Sequence, residues 1–262
     1  MKKVSVVVPV RGFRLVREML YSLYGGNESV ELETIVLHDG EIVEEDGGNI
    51  EEIASVVEVV RGGLADGGSL YRLWNEGLKK ASGDYIGIVH DDVFFTRGWD
   101  VAVCEELKKG KRVVCPLWSY PPGAERKVAE GWAIPVARVK ASQVLEAMAT
   151  FMFRRGQMED SEIVVYERCG LAGFCFFAQR EVFDLVGGFD EAYRLWFGDD
   201  DWGKRLGFYS IPVVVPSRFY IWHIQGATTA GLDRKQLEEW READERLFRS
   251  KWEKGGGSSD NG

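Results

Sequence analysis

The chain has four cysteines and three histidines, and it has no long apolar run and no excess of basic residues. Each shortage excludes something. Cys104, Cys115, Cys169 and Cys175 show no Cys-x-x-Cys spacing and no histidine paired with them. A zinc finger or ribbon is therefore excluded, and four thiols in 262 residues do not make a disulfide scaffold. Reduced, buried thiols in a cytoplasmic protein are the expectation. The apolar run after Met1 is stopped by Pro9 and Arg11, too soon for a signal-peptide core. No other stretch is long enough to span a bilayer as a helix. Lys and Arg number 33 against 42 Asp and Glu, a net charge of −9. That balance argues against a general nucleic-acid binder, while leaving room for peripheral membrane contact through a local basic or aromatic patch. The glycines of residues 62–68 lack the Gly-Lys-Ser/Thr of a P-loop and do not form the dinucleotide Gly-x-Gly-x-x-Gly pattern. Internal repeats and composition breaks are missing too, so nothing separates two independent domains.

What is present is an alternation of apolar runs with helical periodicity. Residues 4–8, 34–37 and 55–60 have the composition of buried strands. Leu15, Met19 and Leu23 share one helical face within residues 13–24, and Leu70, Leu73, Trp74, Gly77 and Leu78 share another. Residues 84–93 form a strand that ends in acidic groups. Thr96 is placed to cap a helix reaching about residue 109, before a strand at 112–115. Such alternation predicts an α/β fold with a mainly parallel central sheet flanked by helices. The second half is less regular: a loop at 118–134, a helix at 139–154, a strand at 173–178, a short helix at 180–186 and a helix from Trp202 to Phe208. Short strands at 212–216 and 219–223 precede an amphipathic C-terminal helix carrying Leu237, Trp240 and Leu247. The Gly- and Ser-rich residues 255–262 read as a disordered tail.

Chemistry concentrates at the strand ends. In open α/β sheets ligands bind beyond the carboxyl ends of strands, where Pro9, Asp39 and the His90, Asp91, Asp92 group fall. Adjacent carboxylates repel and are costly to bury unpaired. A cation relieves that cost, and oxygen-rich sites suit Mg²⁺ or Mn²⁺ with substrate phosphates. Asp39 suits ribose hydroxyls or a base edge, and equally a simple Asp-Gly turn. Asp199, Asp200 and Asp201 form a second acidic cluster beside Trp196, Phe197 and Trp202. It either favours a helix N-terminus or holds a sheltered general base. His223 ends a further strand.

Taken in order, these pieces resemble the family 2 glycosyltransferases of the GT-A fold. Val4-Ser-Val-Val-Val-Pro-Val10 is similar to that family's first strand, and Thr34-Ile-Val-Leu-His-Asp-Gly40 to its nucleoside-binding strand end. Leu73-Trp-Asn-Glu-Gly77 followed by the segment from Ala81 to Val93 resembles the Asn-x-Gly helix that leads into an Asp-x-Asp strand. Gly187-Gly-Phe-Asp-Glu191, then Phe197-Gly-Asp-Asp-Asp201, resembles the region of the catalytic base. Trp222-His223 resembles a downstream metal ligand of some members, and Phe248-Arg-Ser-Lys-Trp252 resembles endings in the family. His90 stands where the first Asp of Asp-x-Asp is usual, and Asp199 where a Glu is usual.

The resemblance implies a Rossmann-like nucleotide-sugar half at 1–115 and an acceptor and catalytic-base half at 116–254. It implies an inverting, metal-dependent transfer from a nucleoside diphosphate sugar to a hydroxyl of a saccharide, a lipid-linked saccharide or another acceptor. Pro9, Val10, Arg11 and Asp39 would line the nucleoside pocket, with Asn75, His90 and Asp91 also on the donor. Asp92 and His223 would hold Mn²⁺ or Mg²⁺, and Asp200, with Asp199 and Asp201 as alternatives, would be the base. A non-catalytic nucleotide-sugar-binding module of the same fold is the alternative. A sugar nucleotidyltransferase ranks lower, because the glycine- and base-rich loop it needs after the first strand is sparse here.

Overall fold

A computed structural model describes residues 1–10, 15–40, 50–64, 66–119, 165–168, 171–216, 218–224, 229 and 232–253. Its central sheet has eight strands in the order β3-β2-β1-β4-β9-β6-β10-β8. They are β1 (Lys3–Val10), β2 (Glu31–His38), β3 (Val56–Val59), β4 (Tyr85–Val89), β6 (Val113–Val114), β8 (Val165–Arg168), β9 (Cys175–Gln179) and β10 (Val213–Pro216). The pairs β1/β2, β2/β3, β1/β4 and β6/β10 are parallel. Strand β9 runs antiparallel between β4 and β6, and β8 runs antiparallel on the edge. The expected α/β sheet is thus mostly parallel in its first half and mixed in its second.

Two-residue periodicity builds a core on each face. Val4, Val6, Val8 and Val10 of β1 point to one face, where Met19, Leu20 and Leu23 of α1 (Val16–Gly26) and Trp99 and Val103 of α4 (Trp99–Leu107) cover them. Val7, Ile35, Leu37, Ile86 and Ile88 point to the other. There α3 (Leu70–Lys80), α5 (Arg180–Val186), α6 (Gly198–Phe208) and Trp240 of α7 (Arg234–Trp252) pack. Ser69 caps α3 by accepting the Tyr71 N–H at 3.1 Å.

Several boundaries differ from the sequence expectation, each for a tertiary reason. Thr96 does not cap α4: its hydroxyl donates to the Tyr220 carbonyl at 2.7 Å, and Gly98, in the left-handed region, precedes the helix. The residues before Thr96 form β5 (Val93–Phe95), which joins β11 (Tyr220–His223) and β7 (Leu117–Ser119) in a separate three-stranded sheet. Trp118 and Ser119 are therefore strand, not the start of a loop. A short α2 (Ile50–Ile53) was not legible. Helix α6 begins at Gly198, not Trp202, so all three aspartates lie in its first turn. Residues 13–14 of the first predicted helix, the rest of the 118–134 loop, the 139–154 helix and the 255–262 tail lie outside the described residues. No helix among those described is long and apolar enough to cross a membrane.

Candidate active site

The carboxyl ends of β1 to β4 converge on one edge of the sheet, and the strand order reverses between β1 and β4. His90, Asp91 and Asp92 follow β4 directly. The small sheet completes the site. In the β5/β11 pairing His223 lies opposite Val93, one residue from Asp92. The Ile224 N–H donates to the Asp92 carbonyl at 2.9 Å, and the His90 N–H to the Phe174 carbonyl at 2.8 Å.

His90, Asp92 and His223 each offer one ligand atom, and these atoms lie within 4.8 Å of one another. His223 Nε2 and Asp92 Oδ1 are 3.3 Å apart, but no aligned hydrogen bond joins them. Among the described residues His90 Nε2, Asp92 Oδ1 and His223 Nδ1 are buried without a hydrogen-bond partner. Orphaned groups of this kind are costly unless something else satisfies them. Two imidazoles and a carboxylate form a donor set that accepts a divalent cation. Burial pushes His90 down to about 4, against the pull of Asp92, so its imidazole stays neutral and keeps a lone pair. The Phe174 ring stacks on His223 at 4.1 Å and fixes its orientation.

These three residues border a cavity of about 490 Å³ whose lining also includes Asp199 and Asp200. Tyr71, Trp74, Phe174, Trp196 and Phe197 supply much of the rest. Phe197 adopts a positive φ of 64°, a strained conformation for a bulky residue, immediately before α6. The Tyr71 ring fills the space where a side chain at position 198 would go, 2.4 Å from such a Cβ, so Gly198 is required.

The three aspartates have separate surroundings because consecutive helical residues point about 100° apart. Asp199 is half-buried and accepts from the Tyr71 hydroxyl at 3.3 Å. Burial first, and the neighbouring Asp200 charge second, push it up to about 6. Asp200 is exposed at the cavity rim. Burial of its carboxyl raises it, and Lys204 pulls it back. Asp201 is fully buried and faces away from the cavity. It accepts from Arg205 Nε at 3.1 Å, Lys251 Nζ at 2.8 Å, Trp252 Nε1 at 3.1 Å and the Tyr193 hydroxyl at 3.3 Å.

Helix α7 therefore braces the acidic segment. Buried Asp244 adds to this by accepting the N–H groups of Arg194, Leu195 and Trp196 at 2.9–3.0 Å. Asp201→Ala is expected to cost on the order of 3 kcal/mol, because it leaves the partner cations uncompensated. Thermal unfolding should show Tm lower by roughly 5–10 °C.

A second cavity, of about 590 Å³, is lined by His38, Asp39, Gly40, Arg61 and Asp66 among others. Asp39 is thus set apart from the acidic cavity. Val10 pairs opposite His38 at the end of β1, and both it and Pro9 are buried in the sheet. Arg11 lies outside the described residues. Asn75 is engaged within the fold: its side chain accepts the Phe189 N–H at 2.8 Å and donates to the Phe189 carbonyl and to Glu191 at 2.9 Å each, latching the Gly187–Glu191 turn to α3. Asp91 is buried and stands outside the three-residue ligand cluster. His90 lies inside that cluster. Tyr71, Trp74 and Asp244 escaped sequence reasoning, since aromatic residues at helical spacing first suggest core and a lone Asp in a charged helix suggests a solvated face.

The chain matches the family model described as "Glycosyl transferase family 2" over residues 5–184. It is 39% identical over 75 residues to the N-acetylglucosaminyl-diphospho-decaprenol L-rhamnosyltransferase of Mycobacterium tuberculosis, a match over 28% of this chain and 24% of that protein. The match thus spans about a quarter of the curated relative's length. Among solved structures, GalNAc-T7 with UDP, GalNAc and Mn²⁺ superposes with a TM-score of 0.60 at 14% identity, covering 85% of this chain and 43% of that one. The Pyrobaculum calidifontis mannosyltransferase PcManGT with GDP-Man and Mn²⁺ gives 0.60 at 16% identity, covering 98% and 65%. Staphylococcus aureus TarS 1-349 with UDP-GlcNAc gives 0.57 at 17% identity, covering 95% and 66%. At such identities the structures establish the shared GT-A fold.

Proposed function

The chain belongs to glycosyl transferase family 2, and on that premise we propose that it moves a sugar from a nucleoside diphosphate sugar to an acceptor hydroxyl, with a divalent cation and with inversion at the anomeric carbon. The observation that carries this reading is a single cavity lined both by the His90, Asp92 and His223 donor set and by Asp199 and Asp200. The second cavity, with Asp39 at its edge, takes the nucleoside, and Pro9, Val10 and Arg11 form the neighbouring end of β1.

His90, Asp92 and His223 would hold a Mn²⁺ or Mg²⁺ ion, which would supply Lewis-acid neutralisation of the departing diphosphate. The chain's own residues do the rest. Neutral His90 and the stacked His223 present fixed nitrogen lone pairs. Trp196 and Phe197 exclude water from the reacting centre. Asp200 takes the proton of the acceptor hydroxyl while that oxygen forms its bond to the anomeric carbon. The bond from that carbon to the diphosphate oxygen breaks, and its electron pair leaves with the diphosphate. One displacement inverts the centre, so no covalent enzyme intermediate is needed. Residues 1–115 serve the donor, and residues 116–254 serve the acceptor and the base. Buried thiols at Cys104 and Cys175 support a reducing, cytoplasmic setting.

A thermal-shift screen of UDP-, GDP- and dTDP-sugars with and without Mn²⁺ tests the donor half of this reading. One nucleotide sugar at about 100 times its Kd should stabilise the protein by about 2.7 kcal/mol, raising Tm by roughly 5–10 °C, only with metal present. The reading fails if every donor leaves Tm unchanged in both conditions.

A further inference from the structure

Four residues that line the active-site cavity carry a buried polar atom with no hydrogen-bond partner among the described residues: His90 Nε2, Asp92 Oδ1, His223 Nδ1 and Trp74 Nε1. The first three residues can each give a lone pair to a cation. Trp74 cannot. An indole N–H is a donor and nothing else, so a bound ion leaves it unsatisfied. The Trp74 side chain is 1% exposed, and a donor buried without an acceptor loses its hydration for nothing in return.

The packing around the ring indicates what brings the missing acceptor. Tyr71 and Trp74 are neighbours one turn apart on α3, with ring centroids separated by 5.0 Å. The Tyr71 hydroxyl donates to Asp199 Oδ1 at 3.3 Å. Trp74 also lies 6.0 Å from the His90 ring, centroid to centroid. The indole therefore neighbours both a residue of the cation cluster and the residue that holds Asp199. Phe176 and Phe189 pack on it as well, but a ring face is only a second-order partner for an N–H.

In-line displacement sets the anomeric carbon between the departing diphosphate oxygen and the attacking hydroxyl. The diphosphate belongs at His90, Asp92 and His223, and the hydroxyl at Asp200. The group lying between them is the transferred sugar, and its hydroxyls are the acceptors it carries into this part of the cavity.

We propose that Trp74 is a specificity-determining residue whose indole N–H donates to a hydroxyl oxygen of the transferred sugar. The proposal rests on the glycosyl-transfer reading, since it takes the sugar's position from it. A site built to bond a substrate hydroxyl rejects the analogue that lacks it, because the buried donor is left unpaired. One position of the sugar ring is read in this way.

UDP-glucose, GDP-mannose and dTDP-glucose, each beside its bare nucleoside diphosphate, are titrated calorimetrically with Mn²⁺ into the full chain. In Trp74→Phe the nucleotide sugar should bind about tenfold more weakly, while its diphosphate binds as it does to wild type. A packing role alone would weaken both alike. Monodeoxy derivatives of the same donor complete a cycle. Removing one hydroxyl should cost wild type about tenfold and cost Trp74→Phe nothing further. Trp74 also belongs to the core, so a second variant guards the fold. Benzothienylalanine at position 74 keeps the bicyclic shape and has sulfur in place of the N–H. It should melt near the wild-type temperature and show the same selective loss. The Trp74 indole resonance of wild type, identified by its absence from the variants, should shift with nucleotide sugar and stay in place with diphosphate. Equal weakening of sugar nucleotide and diphosphate overturns the proposal. So does unchanged donor affinity in both variants, or an indole resonance that the sugar leaves unmoved. Donor binding to wild type separates the two readings. If it holds while the variants show no selective loss, the role of Trp74 alone is rejected. If no nucleotide sugar binds wild type, the transfer reading falls first and this assignment with it.

Discussion

Asp200→Asn is expected to lower sugar transfer by about 10²–10⁴-fold, the usual contribution of a positioned general base, while metal-dependent donor binding persists. The substitution keeps the shape of the side chain and removes its ability to hold a proton. The surroundings of the three consecutive carboxylates are the reason for choosing this one. Asp201 is committed: four donors from α6, α7 and Tyr193 saturate it on the far side of the helix. Asp199 borders the cavity, but one of its oxygens, Oδ1, accepts from the Tyr71 hydroxyl at 3.3 Å, and it is less exposed than Asp200. Asp200 alone of the three lines both the active-site cavity and a groove beside it. Single-turnover transfer measured beside donor titration checks the assignment. Near-normal turnover in Asp200→Asn, with the loss appearing instead in Asp199→Asn, would transfer the role to the deeper carboxylate. That carboxyl is held at about 6, so an enzyme using it would lose its base as pH falls through that value.

The second large effect is expected at the three-residue donor set of the same cavity. Asp92→Ala should weaken Mn²⁺-dependent donor binding by more than the roughly 10–100-fold that loss of an outer-shell partner costs a metal site. It removes the only carboxylate of the donor set. His90→Ala and His223→Ala should act in the same direction. Calorimetric titration of donor with and without Mn²⁺ reads all three. Metal dependence unchanged in Asp92→Ala would remove the cation from this position. Acid should discriminate as well. A histidine whose folded value is lowered to about 4 is protonated only below it, so His90 keeps its lone pair throughout neutral and mildly acidic solution. Loss of metal dependence through His90 is expected only as pH approaches that value from above.

The architecture was legible in the sequence. The valines of β1 alternate between the two faces of the sheet, the Leu70–Lys80 face carries its 3.6-residue period, and acidic groups follow β4 immediately. These are short-range signals, because strand and helix periodicity are set by backbone geometry over a few residues. The same locality explains what such signals leave open. Thr96 has the chemistry of a cap, but its hydroxyl is used by Tyr220, 124 positions away. Asn75 has the chemistry of a ligand-binding amide, but the backbone of Phe189 claims it.

The sequence by itself determined that strand ends bearing His90, Asp92 and His223, and a helix start bearing three aspartates, exist and occur in the order of a GT-A chain. Only the tertiary structure decided which side chains meet. The antiparallel register of β5 with β11 sets His223 beside Asp92, and the rotation of α6 sends Asp199, Asp200 and Asp201 to different neighbours. The physical reason is that a side chain's type travels with its position in the chain. Its burial, its partners and its free lone pairs depend instead on contacts between residues tens to more than a hundred positions apart, which no local spacing encodes.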